Sequence, residues 1–441
     1  MAGKNTAYKK LGILSLAAVI FFTISGGPYG LEPLLFYCGG NGALLLLVAV
    51  PLFWDIPIVL CVLELNSQMP VAGGYYQWIK KALGLRWAFY DGWWAWLCIF
   101  IDLAIYPQLV ILYAGLFFPE ITAYKIPICW TIIWVCAYIN IRGIVSVGRT
   151  TIILSVLTLL PFVVLFAIGA YHYPLHISHN MLTLNDHTPF LGMAIFTIIW
   201  NFMGWDNVTT YANEVNKPAS SYLKAISVAF AFIFILYIGV ILIAQKTGIS
   251  PQELRDKGFP ALGYYIGGQW LSVTIAIAGI VSSIGLFLAV LLSISRIPEV
   301  MSADKLLPAK LHALHPKYKS PYISIIISAC IVSGMILWSF GELLIIDVSV
   351  YFVGLTLEFL SLIVLRIREP HAPRPFRIPF NIIGLCIMLT LPIIVYFIAL
   401  SDIISKSKEA LKPLLFAVLM ILSAELAWRI IELSKTRRLN K

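Results

Sequence analysis

Charge is what this sequence has least of. Only 12% of its 441 residues are Asp, Glu, Lys or Arg, against roughly 25% in a soluble globular protein, while 60% are hydrophobic. That poverty excludes a water-soluble fold. No polar block between residues 11 and 433 is long enough to fold alone, so one integral membrane domain is expected rather than two or three soluble ones. Paired cysteine spacing is absent too. Cys38, Cys61, Cys98, Cys129, Cys136, Cys330 and Cys386 lie within or at the ends of apolar stretches, where a free thiol behaves as a small hydrophobe. Neither a disulfide framework, a metal site nor a cofactor is expected. The first apolar run starts at Leu11 with no small-residue cleavage site behind it, so it does not read as a removed signal peptide.

What the sequence has in abundance is apolar runs of about 20 residues, the length that crosses a bilayer as a helix. Twelve are expected, at about 11–36, 42–65, 89–118, 124–141, 149–171, 188–211, 220–245, 268–298, 321–339, 343–365, 380–400 and 411–433. An even count puts both termini on one side. Twenty-four of the thirty-one Lys and Arg residues then fall on that side and seven on the other. Cytoplasmic loops carry the positive excess, so a multi-pass plasma (inner) membrane protein with cytoplasmic termini is expected. The net charge of +10 reads as this orientation signal and implies a lipid bilayer, not nucleic acid, as partner.

No Lys or Arg lies at the middle of an expected span. Asp55, Asp102, Asp206, Glu358 and Glu425 do, with Glu64 and Asp347 nearer the ends. A mid-membrane carboxylate costs about 2.5–3.5 kcal/mol on insertion scales and normally faces a cavity or a partner. Two of these acids read as coupling groups, Asp206 first and Asp102 second, because a buried carboxylate can carry a proton. Glu358 and Glu425 read as helix-packing acids.

Two spans are interrupted. Ser25-Gly26-Gly27-Pro28-Tyr29-Gly30 breaks the first, with three glycines and a proline that disfavour a continuous helix. The sixth carries Trp200-Asn201-Phe202-Met203-Gly204-Trp205-Asp206-Asn207. Open backbone at membrane depth is tolerated only where protein or a watery cavity covers it. Breaks in spans one and six fit two inverted five-helix repeats with a substrate site at their interface. The repeats run about 11–171 and 188–366, and two extra helices occupy about 380–433.

These motifs resemble the amino acid–polyamine–organocation superfamily of secondary transporters, and within it the polyamine-uptake and L-type amino acid transporters. The most specific pieces are Ser25 to Gly30 and Glu64-Leu65 followed by Pro70 and Gly73-Gly74-Tyr75-Tyr76-Gln77-Trp78. Trp205-Asp206, Glu214-Val215 and Ser282-Ser283-Ile284-Gly285-Leu286 add to them. The resemblance implies an all-α polytopic fold of the LeuT type and a transporter rather than an enzyme. It also implies a small-molecule substrate held by the backbone from Ile24 to Gly27 under an aromatic gate, Trp200 or Phe202. The candidate substrate-binding set is Thr23, Ile24, Ser25, Gly26, Gly27, Trp200, Asn201, Phe202 and Trp205.

The chain departs from the polyamine-uptake pattern at two places, Thr23 and Leu288, where that pattern carries acids. Two anchors for ammonium groups are therefore missing, and an amino acid substrate is favoured over a polyamine. Asp55, Asp102 and Asp206 are possible replacements. For coupling, the resemblance offers a proton or exchange. Ser282 and Ser283 form a candidate cation site for sodium, although hydroxyl pairs more often bridge helices. Thr150 through Ala170 lacks the lysine that some relatives use in its place.

A channel is the alternative from another class, but no repeated filter or charged ring is visible. A membrane enzyme would need a nucleophile–base pair or metal cluster inside the spans. His172, His176, His179 and His187 read as a solvated loop. The basic, proline-rich segment Arg366 to Arg377 reads as a surface for anionic headgroups.

Overall fold

In a computed structural model, the described residues are 11–173, 190–336, 340–407 and 410–439. Seventeen α-helices organise them, and no strand occurs among them. The first half holds α1 (Ile13–Ile24), α2 (Leu34–Val50), α3 (Ile56–Gln68), α4 (Gly74–Leu83), α5 (Leu85–Gly115), α6 (Lys125–Ile141) and α7 (Ile144–His172). After residue 190 come α8 (Leu191–Asn201), α9 (Pro218–Thr247), α10 (Pro251–Lys257), α11 (Phe259–Gly267), α12 (Gln269–Ile294) and α13 (Arg296–Ala303). The chain ends with α14 (Tyr322–Met335), α15 (Phe340–Arg368), α16 (Ile382–Lys406) and α17 (Leu411–Leu439). His176, His179 and His187 lie outside the described residues, and His172 closes α7.

Among the described residues, nine helical stretches are long and apolar enough to cross a membrane, and each falls on an expected span. Three shorter apolar helices, Ile13–Ile24, Leu191–Asn201 and Tyr322–Met335, fall on the first, sixth and ninth. Burial separates the stretches into two kinds. The apolar windows of Leu85–Gly115 and Gln269–Ala303 are 78% buried, those of Pro119–Ile141 and Leu411–Ser434 only 22%. α5 and α12 are thus central pillars, while α17 presents Leu415, Leu419, Leu422 and Leu426 outward. An exposed leucine stripe of this kind suits acyl chains, not water.

Both interruptions are present. α1 stops at Ile24 and helix resumes only at Leu34; α8 stops at Asn201 and is followed by short 3-10 turns. Gly30 (φ 98°) and Gly204 (φ 104°) adopt left-handed backbone that side-chain-bearing residues rarely enter. The two breaks also pack on each other. A Cβ at Gly30 would sit 2.5 Å from the Trp200 ring, and one at Gly204 would sit 3.3 Å from the Thr23 carbonyl. The Tyr237 hydroxyl of α9 lies 2.6 Å from Ser25 Oγ and 3.0 Å from the Asn201 carbonyl, so one side chain holds both.

The proline-rich segment corrects an expectation. Arg366 and Arg374 turn inward onto the fully buried Glu64 of α3 instead of facing headgroups. A carboxylate buried in α3 needs a cationic partner, and the chain supplies its own.

Candidate functional site

The breaks open onto a narrow internal cavity of about 50 Å³ between α1, α5, α8, α12 and α15. Five carboxylates line it: Asp91 and Asp102 from α5, Asp206 from the second break, and Asp347 and Glu358 from α15. All are between 0% and 7% exposed. Among the described residues that line the cavity, none is Lys, Arg or His.

Helix periodicity explains how so many acids meet. Asp91, Cys98 and Asp102 are seven and then four residues apart, one face of a helix with 3.6 residues per turn. Asp347, Tyr351, Gly354 and Glu358 repeat that face on α15. The Cys98 thiol donates to Asp347 Oδ1 at 2.7 Å, and a Cβ at Gly354 would lie 2.9 Å from Asp91 Oδ1. The absence of a side chain at Gly354 is what admits the Asp91 carboxylate.

Each acid has a distinct set of partners. Asp102 accepts hydrogen bonds from the Tyr106 hydroxyl at 2.5 Å and from Trp200 Nε1 at 3.2 Å. Asp206 accepts from the Tyr351 hydroxyl at 2.5 Å, and Tyr351 in turn accepts from the Gly204 backbone N–H. Glu358 lies beside Asp206 in the same cavity. In contrast, Asp91 Oδ2, Asp347 Oδ2, Glu358 Oε2 and the Tyr75 hydroxyl are buried without a hydrogen-bond partner. Buried acceptors left unmatched cost free energy. Five carboxylates without a basic neighbour can be buried together only if protons neutralise some of them or cationic groups accompany them. Chemically this is a receptor for positive charge.

Of the residues expected from sequence, Thr23, Ile24, Ser25, Trp200, Asn201, Asp102 and Asp206 line the cavity. Gly26, Gly27, Phe202, Trp205, Ser282 and Ser283 do not. Phe202 packs on Tyr237 at 5.0 Å, so of the two expected gate aromatics only Trp200 stands at the cavity wall, together with Tyr75, Trp94, Tyr106 and Tyr351. Trp205 is fully buried against Phe230. Ser282 donates to the Gly26 carbonyl, whereas Ser283 donates to Gly279 of its own helix at 2.9 Å, so the two hydroxyls diverge. Asp55 is buried in a π-helical turn, Pro51–Asp55, away from the cavity lining.

Two assignments need revision. Glu358, expected to be a packing acid, faces the cavity, while Glu425 does pack, bonding Arg86 and Arg429 at 2.6 and 2.7 Å. Leu288 is buried outside the lining, so an acid missing there removes nothing from this cavity. Asp91 and Tyr75 were not anticipated, and Asp347, singled out among the membrane acids, was given no role. The signal that could have found the two acids is the shared eleven-residue spacing, Asp91 to Asp102 and Asp347 to Glu358.

Residues 11–423 match the family model described as amino acid permease. A probable polyamine transporter of Arabidopsis thaliana is 32% identical over 94% of this chain and 86% of its own length. A polyamine transporter of Oryza sativa subsp. japonica is 31% identical over 90% and 75%. A serine/threonine exchanger of Bacillus subtilis is 23% identical over 85% and 87%. On the family match over nearly the whole chain and these identities, the chain belongs to the amino acid permease family of the amino acid–polyamine–organocation superfamily, a family of membrane transporters.

Proposed function

We propose that the protein is a secondary active polyamine transporter. The observation that carries this reading is the buried cavity with five carboxylates and no basic side chain. Sequence alone favoured an amino acid, chiefly because Thr23 and Leu288 replace two acids. Asp91, Asp347 and Glu358 supply more charge than those two positions would have given. An amino acid, moreover, brings a carboxylate that this cavity repels. The N–H groups of the first break, its natural partners, are already committed: Ser25 and Gly26 donate to the Phe21 carbonyl and Gly27 to Ser25 Oγ.

Twelve membrane crossings with inverted repeats, both termini in the cytoplasm, and a place in the plasma membrane complete the proposal. The nine long and three short apolar helices and the Lys/Arg asymmetry support it. Alternating access follows from a site set between two opposed broken helices. Substrate enters between the repeats, Trp200 closes over it, and its ammonium groups pair with the ionised carboxylates while Asp206 carries a proton inward alongside it. Proton exchange at Asp206, assisted by Asp102, then resets the carrier.

Reconstituted protein should take up labelled spermidine in a saturable way, show counterflow, and respond to a pH gradient. Uptake of labelled serine or leucine that excess spermidine fails to inhibit would transfer the assignment to amino acids. Single-channel currents would remove the carrier mechanism altogether.

A further inference from the structure

The five carboxylates are not spread evenly. The contacts Cys98 to Asp347 and Asp91 to Gly354 run in opposite directions along the two helices. Seven residues down α5 correspond to seven up α15, so the helices are antiparallel across the cavity. This sets Asp347 level with Cys98, one turn inside Asp102, and Asp91 level with Gly354, one turn inside Glu358. Each pair forms a staggered tier whose charges act on one another, and the inner members, Asp347 and Asp91, are seven residues, ~10 Å, apart along the helices. Eleven residues separate the pairs on each helix, a rise of ~16 Å. Asp206, bonded to Tyr351, lies between them.

We propose that these two carboxylate tiers form a length gauge, admitting linear aliphatic amines with three or four nitrogens and discriminating against diamines. One terminal ammonium occupies the Asp102/Asp347 tier, the other reaches toward the Asp91/Glu358 tier, and an inner amine lies beside Asp206. Extended chains with bonds of ~1.5 Å put the terminal nitrogens ~16 Å apart in a tetraamine, ~11 Å in a triamine and ~6 Å in putrescine. Only the longer two bring charge to both tiers; putrescine reaches one. The unpartnered Asp347 Oδ2, Asp91 Oδ2 and Glu358 Oε2, with the unpartnered Tyr75 hydroxyl, mark both ends as sites awaiting donors. The gauge rests on the polyamine assignment and refines it.

The test uses the full chain in proteoliposomes. Spermine and spermidine should inhibit labelled spermidine uptake at concentrations ~10-fold or more below putrescine, the loss expected for an unmade charge-assisted contact. Asp91→Asn should shrink that ratio to ~3-fold or less, chiefly by weakening the long amines. Gly354→Ala should do the same. Its Cβ displaces the Asp91 carboxylate, while alanine favours the helix and keeps the protein folded. A binding readout on the unaltered protein is labelling of Cys98 by a cationic thiosulfonate, followed by mass spectrometry of its peptide. Spermine should protect Cys98 at lower concentration than putrescine by the same factor. Equal potency of all three amines, or a ratio unmoved by both variants, overturns the gauge and leaves polyamine transport standing. Failure of every amine to compete or protect overturns both.

Discussion

Arg366 grips Glu64 with two arms, Nη2 donating to Oε2 at 2.5 Å and Nε donating to Oε1. The backbone N–H of Ile378 donates to the same carboxylate at 2.8 Å, and Arg374 approaches it at 3.3 Å. One buried acid therefore ties α3, the end of α15 and the segment after it into a unit. Removing one member of a buried ion pair leaves the other charge uncompensated, at about 3–5 kcal/mol. Glu64→Ala should lower the thermal midpoint of the detergent-purified protein steeply. Glu64→Ala combined with Arg366→Met should recover part of the loss. A single variant as stable as the parent would mean that this cluster carries no stability.

In the proposed mechanism Asp206 links protons to substrate, because it lies beside Glu358, bonds Tyr351 and stands in the second break. Asp206→Asn keeps size and hydrogen bonding but cannot take up a proton. Uptake driven by an inward proton gradient should disappear, while counterflow at equal pH should persist at reduced affinity. The pH dependence has a definite sign: uptake by the parent rises as external pH falls, and in the variant the profile is flat. An unchanged profile would move the coupling function elsewhere, with Asp102 the next to examine.

Trp200 meets the cavity through its ring and holds Asp102 through its indole N–H. These roles separate by substitution. Trp200→Phe retains an aromatic face for an ammonium group, and Trp200→Leu retains neither face nor donor. A cation over an aromatic ring is worth about 0.5–2 kcal/mol, so the leucine variant should raise KM for spermidine by roughly 10-fold, the phenylalanine variant by less. Equal effects of the two would assign Trp200's contribution to the Asp102 bond alone.

How much of this was written in the sequence differs between fold and site. Apolar length located the helices, because a bilayer imposes a near-fixed span, and Ser25 to Gly30 announced the first break through glycine and proline chemistry. The site was half legible. Residues at the breaks were found because irregular backbone at membrane depth requires a cavity. Asp91 was passed over because it stands at the very start of its expected span, where an acid is cheap, and Glu358 because it lies in a span that the resembled family uses less directly. Which face of a long apolar helix turns inward depends on its neighbours. A moment computed for α5 alone cannot report it when hydrophobic residues surround the helix. The contact of Asp91 with Gly354 is a tertiary fact, and only the antiparallel packing of α5 on α15 turns four separate acids into two tiers.

Tyr237 offers a test of the hinge itself. Its hydroxyl lies between Ser25 Oγ and the Asn201 carbonyl, one on each broken span, and no cavity-lining atom belongs to it. Alternating access requires the two breaks to shift relative to one another, so a hydroxyl bound to both favours the arrangement seen here. Tyr237→Phe removes the link without altering the ring that packs on Phe202 at 5.0 Å. A neutral hydrogen bond contributes about 0.5–1.5 kcal/mol, which corresponds to a 2- to 12-fold change in an equilibrium constant. The variant should alter the maximal rate of counterflow within that range while leaving the concentration of spermidine that protects Cys98 nearly constant. A change confined to protection, with rate untouched, would make Tyr237 a support of the binding cavity and not of the moving breaks.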